Sequence, residues 1–324
     1  MKLVIRLAAA FMVLLLTLSA SGCLSTKLID EESKKRIKVI VKNKNTDFWK
    51  VVRMGTEAAG TEFGVDVDFD GPTDEGDIEA QISIIERTVI EKYDALVLAA
   101  CDYNEIVPAA EKAIDAGIPV VVIDSALNSK KIKCFIGTDN VDAGRKAGEK
   151  LIEILGNKCK IAIMSFVKGT GSSVSREEGL YSVLKENPGI EVISKEYCMS
   201  DEALAESLAM KILEENGSID AFVCLNAQGT IGVARAIKSM DLGGKVKIIG
   251  FDSTPEEISF IEKGIIQATV VQNPFGMGYL GIKIAVGVLN GKEVEEYVNT
   301  GSTVIDKDNM FLPENQKLVF PFTN

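Results

Sequence analysis

Short runs of apolar residues alternate with longer amphipathic stretches along most of the chain. The runs are rich in Val and Ile, as in strands, and the stretches between them repeat apolar positions at helical spacing. The predicted strands are residues 37–41, 65–69, 95–99, 119–123, 160–165, 192–197, 221–225, 246–251 and 266–271, and the clearest helices are 48–63, 78–91, 104–116, 140–155 and 201–215. This alternation predicts an α/β protein with mostly parallel sheets and helices on both faces.

The number of predicted strands exceeds what one open sheet holds comfortably, and about 290 residues suit two cores better than one. The alternation is interrupted at residues 135–140, where a short strand has no helix before it. We place the first crossing between two lobes there, a second at 272–274 and a third near Gly301. The prediction is two doubly wound parallel-sheet lobes joined by a three-crossing hinge. The N-terminal lobe comprises residues 37–138 and 273–301, and the C-terminal lobe comprises 139–272 and 302–324.

The first 22 residues have the layout of a secretory signal peptide, with Lys2 and Arg6 before an apolar run and then small residues. Cys23 follows the small residues directly, as in a bacterial lipobox, so we predict that it carries acyl chains. An ordinary signal peptide is the alternative, and a membrane span is disfavoured because the run is shorter than about 20 residues. Residues 23–36 are predicted to be a lipid-anchored flexible linker. The protein is therefore expected outside the cytoplasm, at the cell surface or in the periplasm.

The composition of the chain excludes several classes of function. The net charge is -11, with no basic stripe to offset it, which argues against nucleic-acid binding. The chain has no histidine, which excludes His-based zinc sites and Ser-His-Asp triads. We expect no cofactor, no bound metal and a monomer. An odd number of scattered cysteines follows Cys23, so we predict buried apolar residues rather than a disulfide framework: Cys101, Cys134, Cys159, Cys198 and Cys224.

Polar and aromatic residues follow the predicted strands, where ligands of open parallel sheets bind. Carboxylate, amide and guanidinium groups form directed hydrogen bonds with hydroxyls, and aromatic faces cover the C–H faces of a sugar ring. Any one of them could merely cap a helix, as we expect of Asp139 and Asn140. Their convergence favours a site for a sugar or related polyol. The candidate residues are Phe48, Trp49, Asp124, Thr138, Arg176, Asn226, Asp252 and Gln272.

Several segments resemble the periplasmic sugar-binding proteins of the ribose-binding type, whose fold is shared with the effector domains of LacI-type repressors. The segments are 47–49, 118–124, 137–140, 176–179, 250–255 and 272–274. The resemblance runs from Ile37 to about Lys307. It implies the type I periplasmic binding protein fold, in which two lobes close around a ligand.

The resemblance also implies roles for individual residues. Phe48 and Trp49 are expected to sandwich the sugar ring, and Phe251 is expected to pack against its edge. Side chains near the hinge and from the second lobe are expected to bind the hydroxyls: Asp124, Arg176, Asn226, Asp252 and Gln272.

Three positions depart from a ribose binder. Ala99 replaces an asparagine, Ser125 replaces an arginine, and Lys42 replaces a small hydroxyl residue. Because a site rejects analogues that leave its buried polar groups unpaired, these changes imply a ligand other than ribose. Lys42 is itself a candidate ligand contact, and an acidic or phosphorylated sugar would give it a partner.

Three motif-like segments are set aside. Residues 66–77 approach a calcium-binding loop, but their alternation favours a strand and turn. Residues 276–281 match G-x-G-x-x-G without the acidic strand end of a dinucleotide site, so we predict close helix packing there. Residues 169–173 lack the end of a phosphate loop, and we predict a flexible turn at the cleft mouth rather than an anion site.

We therefore predict a solute-binding lipoprotein of an ABC importer that binds a monosaccharide or related polyol by hinge closure. The expected partners are the sugar, the ABC permease and the membrane, the last through Cys23. The alternative is a ligand-sensing partner of a membrane histidine kinase or chemoreceptor. A repressor is disfavoured because no helix-turn-helix precedes the fold. An enzyme is disfavoured because no nucleophile–base pair or poised carboxylate dyad is evident.

Overall fold

The computed structural model describes residues 34–321. The predicted signal peptide 1–22, the predicted lipidation site Cys23 and most of the predicted linker 23–36 lie outside this range. Residues 35–321 belong to one unit. Within the described range, no helix has the length and apolar character needed to cross a bilayer.

The first sheet contains six strands in the order β11-β5-β4-β3-β1-β2, and all neighbouring pairs are parallel. Helices connect most of its strands in the β-α manner expected from the sequence. Its elements are β1 (Arg36–Ile40), α1 (Asp47–Phe63), β2 (Asp66–Asp70), α2 (Ile78–Ile90), β3 (Ala95–Leu98), α3 (Val107–Asp115), β4 (Val120–Ile123), β5 (Cys134–Gly137), α9 (Pro274–Leu289) and β11 (Tyr297–Asn299).

The second sheet has six strands in the order β12-β10-β9-β8-β6-β7. Its strands are parallel except for β12, which pairs antiparallel with β10. Its elements are α4 (Asn140–Leu155), β6 (Cys159–Ser165), α5 (Gly171–Glu186), β7 (Ile190–Tyr197), α6 (Glu202–Asn216), β8 (Ala221–Cys224), α7 (Ala227–Ser239), β9 (Lys247–Phe251), α8 (Pro255–Glu262), β10 (Ala268–Val271), β12 (Thr303–Asp306) and α10 (Pro313–Val319).

The chain passes between the two sheets after β5, after β10 and again between β11 and β12. Two α/β lobes with mostly parallel sheets are therefore confirmed, and the passages fall in the three regions where crossings are predicted. The residue boundaries of the lobes stay a prediction. The edge strands β11 and β12 were not among the predicted strands.

Helices cover both faces of the first sheet, and successive strand residues alternate between them, as the strand period of two requires. Val121 and Ile123 of β4 pack in a cluster with residues of α1 and α9. Val120 and Val122 belong to the cluster on the opposite face, with residues of α2 and α3. All four side chains are fully buried. The continuous apolar run of β4 therefore reflects burial on two sides.

Glycines allow close helix packing on both lobes. A Cβ atom on Gly278 of α9 would lie 2.1 Å from the Val52 carbonyl oxygen of α1. This contact confirms close helix packing at Gly278, whereas Gly281 of the same motif packs against Val97 and Ile123 of the sheet. The 66–77 segment forms strand β2 and then a turn, and the Asp77 side chain accepts a hydrogen bond from the Ala80 N–H at the start of α2.

Gly144→Ala is expected to lower the free energy of unfolding by about 3 kcal/mol, because overpacking that only backbone movement can relieve is costly. The added Cβ would lie 2.0 Å from the Arg176 carbonyl oxygen on α5. Gly287→Ala is the matched control, since the nearest atom to its added Cβ is 3.9 Å away, on Val294. Urea unfolding of both variants tests the prediction. Equal midpoints would contradict it.

Candidate functional site

A small cavity lies between the two lobes. Many of its residues follow directly on strands of both sheets, so the carboxyl ends of the two sheets face this space, as in other open α/β folds. We call it the interlobe cavity, and its lining residues are Lys42, Thr46, Phe48, Trp49, Glu75, Asp124, Phe166, Ser172, Arg176, Asn226, Ala227, Gln228, Asp252 and Gln272.

Most of the predicted site residues meet in this cavity, and two do not. Thr138 lies at the hinge, where its hydroxyl donates to the Gly301 carbonyl oxygen at 3.2 Å. Phe251 is fully buried beneath Arg176, whose guanidinium carbon lies 4.5 Å from the ring centroid. The predicted residues in the lining are Lys42, Phe48, Trp49, Asp124, Arg176, Asn226, Asp252 and Gln272. Their roles in ligand binding stay predictions.

Other lining residues were not predicted from the sequence: Thr46, Glu75, Phe166, Ser172, Ala227 and Gln228. Phe166 directly follows β6, so the strand-end rule applied to that strand would have found it. Ser172 lies in the first turn of α5, in the segment 169–173 for which a flexible turn was predicted. That prediction is wrong, because Thr170 caps the helix by accepting a hydrogen bond from the Ser173 N–H.

Lys42 is buried among carboxylates and aromatic rings. Its Nζ lies 3.4 Å from Asp124 Oδ2 and 3.8 Å from Glu75 Oε2. It also lies 5.5 Å from the Phe166 ring centroid and 5.7 Å from that of Trp49, within cation–π range. Burial lowers the pKa of Lys42, but the two carboxylates outweigh it and raise the pKa above its ordinary value. Lys42 is therefore a charged residue with partners inside the protein.

Arg176 donates hydrogen bonds to two acceptors on the second lobe. Its Nε donates to Asn140 Oδ1 at 2.8 Å, and its Nη1 donates to the Leu225 carbonyl oxygen at 2.6 Å. Burial lowers the pKa of Arg176, and Asp252 is the strongest of the carboxylates that oppose this. Since an arginine stays protonated in proteins, it contributes a fixed positive charge to the cavity wall.

Asp252 and Gln272 form a pair at the ends of β9 and β10. The Gln272 amide donates from Nε2 to Asp252 Oδ1 at 2.7 Å. Burial raises the pKa of Asp252, and the Arg176 guanidinium and the Gln272 hydrogen bond offset only part of this effect. Gln272 Oε1 is buried and has no hydrogen-bond partner among residues 34–321. Because Gln272 belongs to the cavity lining, this oxygen is an acceptor that a ligand hydroxyl can satisfy.

Asp124 adopts a backbone φ of 60°, in the left-handed region that aspartate tolerates better than most residues. Its backbone N–H donates to the Ile136 carbonyl oxygen at 2.9 Å, which holds the turn after β4 against β5. Its Oδ2 is buried and faces Lys42 without a hydrogen bond of its own in the described part of the chain. Beside its ion pair with Lys42, this oxygen can therefore accept a hydrogen bond from a ligand hydroxyl.

Phe48 and Trp49 do not form the sandwich that the resemblance implied. Their ring centroids are 5.0 Å apart and the planes meet at 81°, so the rings touch edge to face and leave no room for a sugar between them. The Trp49 Nε1–H donates to Glu75 Oε1 at 3.2 Å. Phe166 enters the cavity from the other lobe. Opposed aromatic faces can therefore come from different lobes instead of from adjacent residues.

Glu257 lies behind Asp252 and is fully buried. Its Oε2 accepts a hydrogen bond from the Thr254 N–H at 2.8 Å, and its Oε1 has no partner within residues 34–321. Burial, followed by the nearby charge of Asp252, raises the pKa of Glu257 well above its usual range. The native state therefore holds a proton that the unfolded chain releases near its ordinary pKa of about 4.3.

Glu257→Gln is expected to become increasingly stable relative to the unmodified protein as the pH rises. A raised acid pKa means that the fold loses stability as pH climbs from the unfolded pKa towards the folded one, and glutamine removes that loss. Within that window, the free energy of unfolding of the unmodified protein falls by about 1.4 kcal/mol for each tenfold drop in proton concentration. Thermal melts between pH 5 and 8, with the exposed Glu262→Gln as control, measure the difference. A difference that stays constant with pH would contradict the prediction.

All five cysteines in the described range are buried and free, as predicted. Burial raises the pKa of the Cys101 thiol beyond the physiological range. Its Sγ lies 3.9 Å from the Lys42 carbonyl oxygen. The thiol therefore packs as a small apolar group beneath the site.

The chain belongs to the family of periplasmic binding protein domains, whose model matches residues 37–293. The D-allose-binding periplasmic protein of Escherichia coli is 30% identical over 76% of this chain and 82% of its own. The D-ribose/D-allose-binding protein of Pseudomonas aeruginosa is 28% identical over 90% of this chain and 92% of its own. These matches confirm the resemblance to ribose-binding-type proteins. They also confirm the prediction that the chain is a binding protein instead of an enzyme.

Solved structures give the same classification. An ABC transporter solute-binding protein from Agrobacterium vitis with bound D-fucose has a TM-score of 0.86 and 36% identity, covering 88% of this chain and all of its own. A carbohydrate transporter solute-binding protein from Agrobacterium radiobacter in complex with D-arabinose has a TM-score of 0.86 and 32% identity, covering 89% and 99%. Family membership indicates a location outside the cytoplasm.

Proposed function

We propose that this protein binds an uncharged monosaccharide or related polyol in the interlobe cavity and delivers it to the permease of an ABC importer. The observation that carries the proposal is the lining itself. Two buried acceptors that accept no hydrogen bond within residues 34–321, Asp124 Oδ2 and Gln272 Oε1, stand beside aromatic rings contributed by both lobes. Hydroxyl groups satisfy such acceptors, and C–H faces of a sugar ring cover such aromatic rings.

The charge of the cavity favours an uncharged ligand. Lys42 and Arg176 supply two positive charges to the lining, and Glu75, Asp124 and Asp252 supply three negative ones. An acidic or phosphorylated sugar would add negative charge to a buried site that already has a net negative charge, and like charges at short range in a desolvated site repel strongly. The pairing of Lys42 with two carboxylates thus argues against the idea that this lysine awaits an anionic ligand.

The ligands named for the relatives point the same way. They are D-allose, D-ribose, D-fucose and D-arabinose, all uncharged monosaccharides. The departures Ala99, Ser125 and Lys42 argue against ribose as the preferred ligand. We therefore take D-allose and D-fucose as the first probes.

The first test is a thermal-shift screen of the chain from Ser25 onward, which retains the whole unit that begins at Lys35. The panel comprises D-allose, D-fucose, D-ribose, D-arabinose, D-galactose and D-galacturonate. A sugar present at about 100 times its Kd stabilises the fold by about 2.7 kcal/mol. Galactose and galacturonate form a matched pair that differs in charge. Silence of every uncharged sugar, or a larger shift with galacturonate than with galactose, would count against the proposal.

Transport and sensing are separated by uptake of radiolabelled sugar in cells lacking this gene. Lost uptake supports the importer. Normal uptake with a lost transcriptional or chemotactic response to the sugar supports the alternative, a ligand-sensing partner of a membrane histidine kinase or chemoreceptor.

We also propose that Cys23 carries the lipid that tethers the mature protein to the membrane, and that the protein is a monomer. An acylated N-terminus keeps the binding protein close to its permease, which raises its effective concentration there. Metabolic labelling with palmitate and cell fractionation test the anchor, with Cys23→Ser as the variant expected to lose both label and membrane association. Light scattering of the chain from Ser25 onward tests the monomer.

A further inference from the structure

Ser200 is outside the lining of the interlobe cavity, but it connects two residues that belong to it. Its hydroxyl donates to Glu75 Oε2 at 2.8 Å and accepts from Asn226 Nδ2 at 3.1 Å. Glu75 lies between β2 and α2 of the first lobe, and Asn226 is the N-cap of α7 in the second. One hydroxyl thus joins cavity residues of opposite lobes.

The connection continues to the aromatic wall on the first lobe. The other carboxylate oxygen of Glu75 accepts the Trp49 Nε1–H at 3.2 Å. Trp49, Glu75, Ser200 and Asn226 therefore form a continuous hydrogen-bonded chain from one lobe to the other. Its link across the gap between the lobes is the bond from Ser200 to Glu75. Glu75 is buried, so the bond is shielded from water.

The second lobe holds the Ser200 hydroxyl in place through an unusual backbone. Met199 and Ser200 have φ values of 53° and 55°, two consecutive residues in the left-handed region without a glycine. The Met199 N–H donates to the Phe166 carbonyl oxygen at 3.0 Å, which fixes the loop to the end of β6. Backbone in this region is costly for residues other than glycine and persists only where the surroundings hold it. The loop therefore presents the hydroxyl at a set position.

The Asn226 side chain is fixed by its own helix. Its Oδ1 accepts the Gly229 N–H at 2.9 Å, as the cap of α7. Its Nδ2 divides its donors between Ser200 Oγ and Gln228 Oε1. The Ser200 hydroxyl thus provides a hydrogen-bond partner for both Asn226 and Glu75.

We propose that Ser200 is a positioning residue that stabilises the closed arrangement of the lobes and so slows release of the ligand; this inference rests on the proposed sugar binding in the interlobe cavity. The bond from Ser200 to Glu75 exists only while the two lobes are together, so its loss favours the open form, which both admits and releases the ligand. We therefore expect its loss to raise koff and not to lower kon.

The test uses Ser200→Ala and Ser200→Gly in the chain from Ser25 onward. Both remove the hydroxyl, but glycine also accepts the left-handed backbone without strain, so the two variants differ in stability and agree in the lost bond. Trp49 is the chain's single tryptophan, so its fluorescence reports on the site. In stopped-flow experiments with whichever panel sugar binds most tightly, we expect koff to rise about tenfold in both variants, the effect of one hydrogen bond to a charged group.

Ser194→Ala on the neighbouring strand β7 is the matched control and is expected to keep the unmodified koff. The inference is overturned if koff is unchanged in both Ser200 variants, or if only one of them changes. It is also overturned if kon falls as much as koff rises, because that result indicates a damaged site.

A second measurement needs no sugar and keeps the two proposals distinguishable. Trp49 is 1% exposed in the closed arrangement, so acrylamide should quench it more strongly once Ser200 no longer joins the lobes. We expect a higher quenching constant in both Ser200 variants and an unchanged one in Ser194→Ala. Equal quenching in all proteins overturns the inference, even if every sugar of the panel is silent and the proposed function has failed.

Discussion

Replacing Arg176 by methionine is expected to lower the free energy of unfolding by about 3–5 kcal/mol and to abolish measurable sugar binding, because it breaks a buried charge network from one side. Arg176 is 3% exposed, and its guanidinium donates to two buried acceptors, Asn140 Oδ1 and the Leu225 carbonyl oxygen. Methionine fills much of the volume but leaves both acceptors without a donor. It also leaves three acidic lining residues facing Lys42 alone.

Urea unfolding and isothermal calorimetry with the best panel sugar measure the two effects. Arg145→Met is the control, since that arginine makes exposed ion pairs within α4, which contribute less than about 1 kcal/mol. Arg176→Lys should lower stability and sugar affinity less than Arg176→Met and more than Arg145→Met. Lysine keeps the positive charge but cannot form the directed pair of hydrogen bonds. If Arg176→Met bound sugar normally, the guanidinium would not be part of the binding site.

The strands that the sequence predicted best are those buried on both faces. The run in β4 is continuously apolar because helices of both layers cover it, and every residue of the strand is buried. The edge strand β11 gives no such signal, since its residues are exposed or half-buried and it contains only Tyr297, Val298 and Asn299. Its existence depends on pairing with β5, a contact between distant parts of the chain that local hydrophobicity does not encode.

The site was predictable where a side chain follows its strand directly. Asp124, Asn226 and Gln272 line the cavity for that reason. Thr138 also follows a strand, but the chain returns beside it at the hinge, and the Gly301 carbonyl oxygen takes its hydroxyl. The position after a strand places a side chain at the edge of the sheet. Whether that side chain then lines the cavity or bonds to another segment depends on the chain that packs beside it.

Glu75 illustrates what a single sequence leaves open. It stands in an acidic turn with Asp74 and Asp77, and nothing in the pattern distinguishes the three carboxylates. The fold separates them: Asp77 caps α2, Asp74 accepts the Gly76 N–H, and Glu75 is buried against Trp49 and Ser200. Only the approach of the second lobe assigns Glu75 to the cavity, so its role depends on tertiary structure alone.

Replacing Asp252 by asparagine is expected to weaken sugar binding about 100-fold while changing the free energy of unfolding by less than about 1 kcal/mol. The carboxylate is buried at a raised pKa, so its charge is costly to the fold, but a charged acceptor binds hydroxyls more strongly than an amide oxygen. Asparagine also tolerates the φ of 72° at this position. The affinity should therefore fall without a loss of stability.

The charge balance of the cavity explains why Asp252→Asn is expected to weaken binding without lowering stability. The lining has two basic and three acidic residues, so Asp252→Asn brings the two signs to equality, whereas Arg176→Met leaves one basic residue against three acidic ones. Calorimetry and urea unfolding of both variants measure the contrast, and Asp241→Asn, an exposed aspartate with a φ of 55°, controls for the backbone conformation. If Asp252→Asn were as destabilising as Arg176→Met, then the carboxylate would be a structural partner of the guanidinium, and the proposed binding role of Asp252 would lose its support.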